Sequence, residues 1–295
     1  SLAKALACVE ASGVAGAGVL LDSMLSVLET VSIPVDLESP QPGWVQQDAN
    51  QIWESVVSAL RQLSETASSS PLLAITNQRE SALAWDPVTG EPVSPMLGWQ
   101  DRRTADELAR FDETQLALIS AITGLPLDPM FSALKFAHIL NLVDPGRERS
   151  ARGAIALGTV DSWLLFKLTG QHVIEIGNAS RTQLLDIETG QWSQELLDLF
   201  NVPLESLPTV VTSNPGNLEV TASRADKLRL PKLAGSKIAA VLADSHAALF
   251  AHIVGEGSAV KATYGTGSSI MALANSSNPG AHGLVKTVAW QIAGK

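Results

Sequence analysis

Apolar positions along this chain recur at two different spacings, and the changes of spacing divide it into short strands and helices. Ala5–Glu10 is an apolar run ending on an acid, followed by the Gly-rich turn Ser12-Gly13-Val14-Ala15-Gly16. Gly18–Asp22 and the β-branched Ser26–Val35 then predict a hairpin. After the break Pro40-Gln41-Pro42-Gly43, Asp48 is placed to cap a helix running to about Glu65. Its Ile52, Trp53, Val56, Val57, Leu60 and Leu63 recur at three and four, which gives one apolar face. Pro71–Ile75 and Ser81–Asp86 read as buried strands, the second closed by the turn Pro87-Val88-Thr89-Gly90.

Helical spacing covers Arg103–Asp112, Glu113–Ile122, Phe131–Val143, Val160–Leu168 and Ser193–Phe200, with Gly170 as a C-terminal stop. Ala154–Leu157 and Lys237–Leu242 are strand-like, and His246–Val254 is helical. Ala259–Thr263 and Ser268–Ala274 flank Tyr264-Gly265-Thr266-Gly267, which reads as a hairpin turn. Strands alternating with helices predict an α/β fold with a mostly central sheet.

Composition narrows the picture. With 295 residues, two core units are the better expectation. Hydrophobic residues make up 45% and charged residues 17%, enough for a packed interior and contrary to disorder. The formal charge of −10 repels phosphate backbones and anionic lipid, so neither nucleic acid nor a membrane surface is an expected partner. The single cysteine, Cys8, makes no internal disulfide, which with the soluble composition points to the cytoplasm. The apolar start is interrupted by Lys4 and Glu10, so it reads as a buried strand and turn rather than a signal peptide.

Polar groups cluster directly after expected strands, at Glu10, Gln78-Arg79-Glu80 and Asp244, where open α/β sheets bind ligands. Each cluster has a plainer reading beside the functional one. The glycine turn is either a phosphate cradle or a hairpin that needs positive φ. Arg79 and Glu80 either hold adjacent polyol hydroxyls or form a surface ion pair. Trp99, beside Gln100-Asp101-Arg102-Arg103, either fills core or packs on the C–H face of a carbohydrate. Asp244 either caps a helix or accepts a proton from an attacking hydroxyl. Ser245 and His246 are adjacent and lie in no Gly-x-Ser-x-Gly elbow, which argues against a hydrolase triad. The remaining histidines lack metal-ligand spacing.

An ordered set of segments resembles the FGGY carbohydrate kinases, most closely their glycerol kinase branch. It includes Gln41-Pro42-Gly43-Trp44-Val45, Ile75-Thr76-Asn77-Gln78-Arg79-Glu80 and Trp99-Gln100-Asp101-Arg102-Arg103-Thr104. It continues through Thr123-Gly124-Leu125-Pro126-Leu127-Asp128-Pro129, Gly158-Thr159-Val160-Asp161-Ser162-Trp163, Asn178-Ala179-Ser180-Arg181-Thr182 and Tyr264-Gly265-Thr266-Gly267. The resemblance implies an actin-like ATPase (ribonuclease H-like) fold, a mixed central sheet flanked by helices, with the beginning of a second such domain. On that reading residues 1–250 are the substrate-binding domain and 251–295 open the nucleotide-binding one. The implied activity is transfer of phosphate from ATP to a polyol or sugar hydroxyl, with Mg²⁺ as cofactor.

By the same resemblance Arg79, Glu80, Trp99, Met130, Asp244 and Ser245 fall on the polyol pocket, with Asp244 as general base. Ser12, Gly13, Val14, Gly265, Thr266 and Gly267 fall on nucleotide contacts, and Glu10 and Asp244 hold the metal through water.

Three departures accompany it. The family's Asp-x-Gly-Thr-Thr is Glu10-Ala11-Ser12-Gly13-Val14 here, and a following arginine is Ala17. Each lost hydroxyl contact removes on the order of 1 kcal/mol from phosphate binding. Met130 replaces a substrate tyrosine and Ser245 a glutamine, which enlarges the pocket toward a longer polyol such as a tetritol, or a sugar. Family members are also much longer than 295 residues, so a face lacking its partner domain is expected to favour homo-oligomers. A catalytically impaired member that binds a polyol or a protein partner without turnover is the alternative expectation.

Overall fold

The computed structural model describes residues 6–11, 15–67, 70–256, 260–263, 269–273 and 283–292, with the backbone alone for 6–11 and 254–256. Its centre is a five-stranded mixed sheet in the order Ile238–Ala243, Leu72–Asn77, Leu6–Ala11, Ala15–Leu21, Val27–Pro34. The first three strands and Val27–Pro34 run in one direction, and Ala15–Leu21 runs antiparallel to both of its neighbours. The two β-branched stretches after the glycine turn thus form the expected hairpin. The chain then needs a crossover to reach a parallel position, and the helix Ala49–Thr66 supplies it.

That helix starts where the Asp48 carboxylate accepts the Asn50 N–H at 2.8 Å. It buries Ile52, Trp53, Val56, Ala59, Leu60 and Leu63 against the sheet. The approach to the hairpin is close: a Cβ at Gly16 would sit 2.9 Å from Ser55 Cβ and 3.2 Å from the Ser55 carbonyl carbon. Gly16 is what lets helix and strand meet there.

Beyond the sheet, the helices Ser132–Val143 and Val160–Thr169 flank a short antiparallel pair, Leu83–Trp85 with Ala156–Gly158. One core continues from the sheet onto Trp85, Trp163 and Phe166, with the two indoles edge to face at 5.4 Å. A second core packs Leu134, Phe136 and Leu140 of the Ser132–Val143 helix against Leu196 and Phe200.

The element after Trp99 departs from expectation. Arg103–Asp112 is not an α-helix but a 3-10 segment, Ala105–Arg110. Asp112 takes extended angles (φ −81°, ψ 170°) to cap the helix Glu113–Thr123, and its capping box with Gln115 stops any helix from running through it. The helix after Lys237–Leu242 begins at Asp244 itself, so Asp244 is its first residue rather than a cap ahead of it. No helix among the described residues is long and apolar enough to cross a membrane.

Gly16→Ala is expected to lower unfolding stability by about 1–3 kcal/mol, because the added methyl forces helix and hairpin apart. Urea denaturation of the two proteins, compared at equal m-value, measures it.

Candidate functional site

Register places the polar clusters at one sheet edge. The last residue of Ile238–Ala243 pairs with Asn77, the last residue of its neighbour Leu72–Asn77. Asp244 therefore leaves the sheet beside the start of Gln78-Arg79-Glu80. On the other side of Leu72–Asn77, Glu10 of the central strand pairs with Thr76. Backbone positions 10 and 242, both paired with Thr76, thus lie two strand spacings apart, roughly 10 Å, and Asp244 follows two residues on.

The loop after Asn77 is shaped by burial and charge. Glu80 adopts φ 59°, a left-handed conformation that costs a side-chain-bearing residue on the order of 1 kcal/mol. Tertiary contacts hold it there. The Lys135 ammonium, fully buried on the Ser132–Val143 helix, donates to the carbonyls of Glu80 (2.8 Å), Gly98 (2.7 Å) and Met130 (2.7 Å). Three N–H donors meet three carbonyls, one from each of three loops. Burial pulls the Lys135 pKa down to about 7, while the charges of Glu80, Asp101 and Asp128 oppose that fall.

The Glu80 side chain is also buried. Its Oε1 accepts from Arg181 Nε at 2.6 Å and lies 3.7 Å from Arg79 Nε. The plain reading of Arg79 and Glu80 as a surface ion pair is therefore wrong: their side chains are only 16% and 6% exposed. Arg181 in turn lies over the Phe131 ring at 4.9 Å.

Trp99 is half-buried and follows the Gly98 carbonyl that Lys135 fixes. Its turn is anchored by Asp101, which accepts the Val45 N–H at 2.6 Å and pairs with Arg103 at 2.9 Å. Arg103 stacks on Trp44 at 3.9 Å. Met130 is half-buried at the third carbonyl. Arg79, Glu80, the Trp99 turn and Met130 are thus gathered around one lysine, with Asp244 at the adjoining strand end.

Asp244 is exposed, and its Oδ1 accepts the Ser245 N–H. His246, one residue further, is fully buried. Desolvation, with Arg79, Arg181 and Lys261 nearby, drives its pKa to about 3, so the ring is neutral. Ser12, Gly13, Val14, Gly265, Thr266 and Gly267 lie outside the described residues, as does the Glu10 side chain. The strands on either side of 264–268 pair antiparallel, Thr263 with Ser269. Among the described residues no three His, Cys, Asp or Glu side chains form a metal-binding group.

A second buried network supports the sheet edge from behind. Asn77 Nδ2 donates to Asn178 Oδ1 at 2.9 Å, and Asn178 N–H donates to Glu175 Oε2 at 2.9 Å. Ser213 Oγ donates to Glu175 Oε1 at 2.6 Å and accepts the Gln291 N–H at 3.0 Å. Burial raises the Glu175 pKa to about 7, and the nearby Asp161 carboxylate adds to the rise.

Reading the sequence did not single out Arg181 or Lys135 for a role at the site. Arg181 lies inside the quoted segment Asn178-Ala179-Ser180-Arg181-Thr182, and Lys135 inside the expected helix Phe131–Val143. Their parts depend on contacts with residues 101 and 55 positions away, which no local pattern records.

A mixed sheet with its polar loops collected at the strand ends is an α/β architecture that binds ligands at that edge. The model for the FGGY family of carbohydrate kinases, N-terminal domain, matches residues 17–251, and the chain belongs to that family. It is 39% identical over 277 residues to glycerol kinase of Geobacter sp. (strain M21), covering 91% of this chain and 54% of that protein. Identity to glycerol kinase of Burkholderia multivorans is 40% over 264 residues, covering 86% and 51%. Among solved structures, Plasmodium falciparum glycerol kinase with ADP superposes with a TM-score of 0.82 at 23% identity, covering 91% of this chain and 54% of that one. Ligand-bound xylulose kinase from Lactobacillus acidophilus gives 0.71 at 21% identity, with coverage of 83% and 49%. The fold is that of the actin-like ATPase carbohydrate kinases, and the chain spans about half the length of these relatives.

Lys135→Met would leave three carbonyls without their donor, and a stability loss of about 3–5 kcal/mol is expected, read by urea denaturation. The Glu175 network has a pH signature. Its folded pKa of about 7 exceeds the ordinary 4.5, so between those values the native state holds a proton that the unfolded chain has released. Stability is thus full below about pH 4.5 and falls as pH rises through about 7. In unfolding measurements across that window Glu175→Gln should flatten the decline.

Proposed function

We propose that the protein containing this chain transfers phosphate from ATP to a hydroxyl of a polyol or sugar. The observation that carries this reading is the Lys135-centred cluster, which puts Arg79, Glu80 and the Trp99 turn beside the strand end that bears Asp244. The buried Glu80 carboxylate can accept from one polyol hydroxyl while Arg79 donates to its neighbour. Trp99 offers an apolar face to the carbon chain. A hydroxyl fixed in that way is presented to Asp244, whose exposed carboxylate takes its proton as the oxygen attacks phosphorus. Residues 1–250 supply this half of the reaction, and 251–295 begin the unit that holds nucleotide.

ATP brings the transferable phosphoryl group, and Mg²⁺ neutralises the charge spread over its oxygens. Glu10 and Asp244 are the residues that would hold the metal through water. Their backbone positions lie on either side of the end of the strand Leu72–Asn77. Ser12, Gly13 and Val14, with Gly265, Thr266 and Gly267, are the proposed nucleotide contacts.

A second reading, a member that binds polyol without turnover, is favoured by one feature. The stretch Glu10–Val14 carries one hydroxyl, that of Ser12, and no threonine, and Ala17 supplies no cation for the phosphates. Asp244→Asn discriminates between the two. If the kinase reading holds, kcat with Mg·ATP and polyol drops by about 10²- to 10⁴-fold while calorimetric polyol affinity changes little. Polyol binding by the complete wild-type protein, with no phosphorylation of any polyol, would establish the second reading instead.

A further inference from the structure

A wide groove of about 640 Å³ is lined by the helices Ala49–Thr66, Val160–Thr169 and Ala222–Leu228. A smaller one of about 220 Å³ adjoins it, sharing Trp53, Lys167, Lys227 and Leu228. No residue of either groove takes part in the polyol, metal or nucleotide contacts proposed above. Arg61, Lys167, Lys227 and Arg229 line the larger groove, and Arg224 lines the smaller. The acids on the wall are Glu54 and Glu91. Cations are therefore in excess here, in a chain whose 20 Lys and Arg are outnumbered by 30 Asp and Glu. Among the described residues none of the five cations forms an ion pair.

The two half-buried cations, Lys167 and Arg224, lie close together. Lys167 Nζ lies 4.8 Å from the centre of the Trp163 ring and 5.7 Å from that of Trp53, and donates to the Gly90 carbonyl at 3.3 Å. Burial holds its pKa below the ordinary lysine value; the Glu91 carboxylate opposes that fall and the Arg224 guanidinium adds to it. Backbone shape gives Arg224 its place. Gly170 ends the helix Val160–Thr169 at φ 82°, and a Cβ there would sit 2.7 Å from Arg224 Nη2. The guanidinium fills that gap and lies over the Phe166 ring at 5.6 Å. Two like charges are thus held side by side and partly desolvated, which is unfavourable without a counter-charge. Arg61, Lys227 and Arg229 add three exposed cations to the same groove.

We propose that this groove binds a small anion carrying at least two phosphate or carboxylate groups, with Lys167 and Arg224 as its half-buried anchors and Arg61, Lys227 and Arg229 closing around it. Guanidinium groups offer paired N–H donors to either kind of oxygen, and cations without ion pairs need release no partner first. The volume suits a metabolite-sized ligand. Net charge decides between a small anion and an extended one. At −10 the rest of the molecule repels a nucleic acid or an anionic membrane, whereas a compact ligand meets chiefly the local field.

Calorimetric titration of the complete protein with pyrophosphate and with citrate tests the site, in about 0.15 M salt and without Mg²⁺ or nucleotide. Screening there acts over about 8 Å, so diffuse attraction to scattered surface cations is largely suppressed. The wild type should bind at least one of the two saturably. Binding of pyrophosphate alone assigns the groove to phosphate groups, and binding of citrate alone assigns it to carboxylates. The double substitution Arg61→Gln with Lys227→Gln removes two exposed charges that no ion pair uses, and should weaken that binding by about 10- to 100-fold. Lys227→Gln alone should weaken it by about 10-fold, which keeps the test open if the double variant loses stability. Lys237→Gln, at an exposed cation outside the groove, should leave it unchanged. Failure of both anions to bind, or an affinity that the Arg61 and Lys227 substitutions do not alter, overturns the site.

Discussion

One buried ammonium organises the loops at the strand ends of this molecule. Lys135 lies in a helix that packs against the core, yet its charge is spent entirely on the backbone carbonyls of residues 80, 98 and 130. A lysine is well matched to that task, having three donors in a tetrahedral spread, whereas the planar guanidinium suits two parallel acceptors. Burying the charge is costly, as the fall of its pKa to about 7 shows. The cost is offset only while all three carbonyls are in place, so the three loops are fixed together or not at all. The left-handed backbone at Glu80 is one consequence of that coupling.

Two carboxylates of the site are held in opposite environments. Glu80 is buried, bridged by Arg181, and unable to turn away from what lies in front of it. Asp244 is exposed at the adjoining strand end, accepting from its own helix at Ser245. A rigid, desolvated acceptor suits orientation of a hydroxyl, while a solvated carboxylate at an open edge suits proton exchange. Behind both, the path from Asn77 through Asn178, Glu175 and Ser213 to Gln291 ties the end of the strand Leu72–Asn77 to the segment 283–292. Trp290 in that segment meets Phe250 edge to face at 5.1 Å, on the helix that begins at Asp244. The helix Asp244–Glu256 and the network behind Asn77 therefore both rest on the segment 283–292.

Legibility in the sequence followed the range of the interactions. The helix Ala49–Thr66 and its Asp48 cap were readable because capping and amphipathic spacing are local. The hairpin and the strand leading to Asp244 were readable for the same reason. Val173–Glu175 and Ile176–Ser180 were not, because three and five residues are too few to establish a period. At the site, residue types and family resemblance pointed to Arg79, Glu80, Trp99 and Asp244. The groups that hold them, Lys135 and Arg181, act across the fold. So does the burial that turned Arg79 and Glu80 from an ordinary surface pair into a desolvated one.

These differences decide which residues speak to chemistry rather than to folding. Glu80 is enclosed by Lys135, Arg181 and Arg79, so its replacement would disturb packing whether or not any substrate is bound. Its presence is compatible with a working enzyme and equally with a binding protein that has lost turnover. The same holds for Trp99, whose turn is pinned through Gly98 and Asp101. Asp244 is different. It is exposed, and among the described residues its one side-chain hydrogen bond is to the next amide in its own helix. An aspartate so placed contributes at most a modest interaction with the helix dipole, on the order of 0.5 kcal/mol. The fold makes little demand for a carboxylate at that position. The phosphoryl transfer proposed above uses one at the strand end beside Arg79 and Glu80, and that makes Asp244 the residue on which the choice between turnover and binding turns.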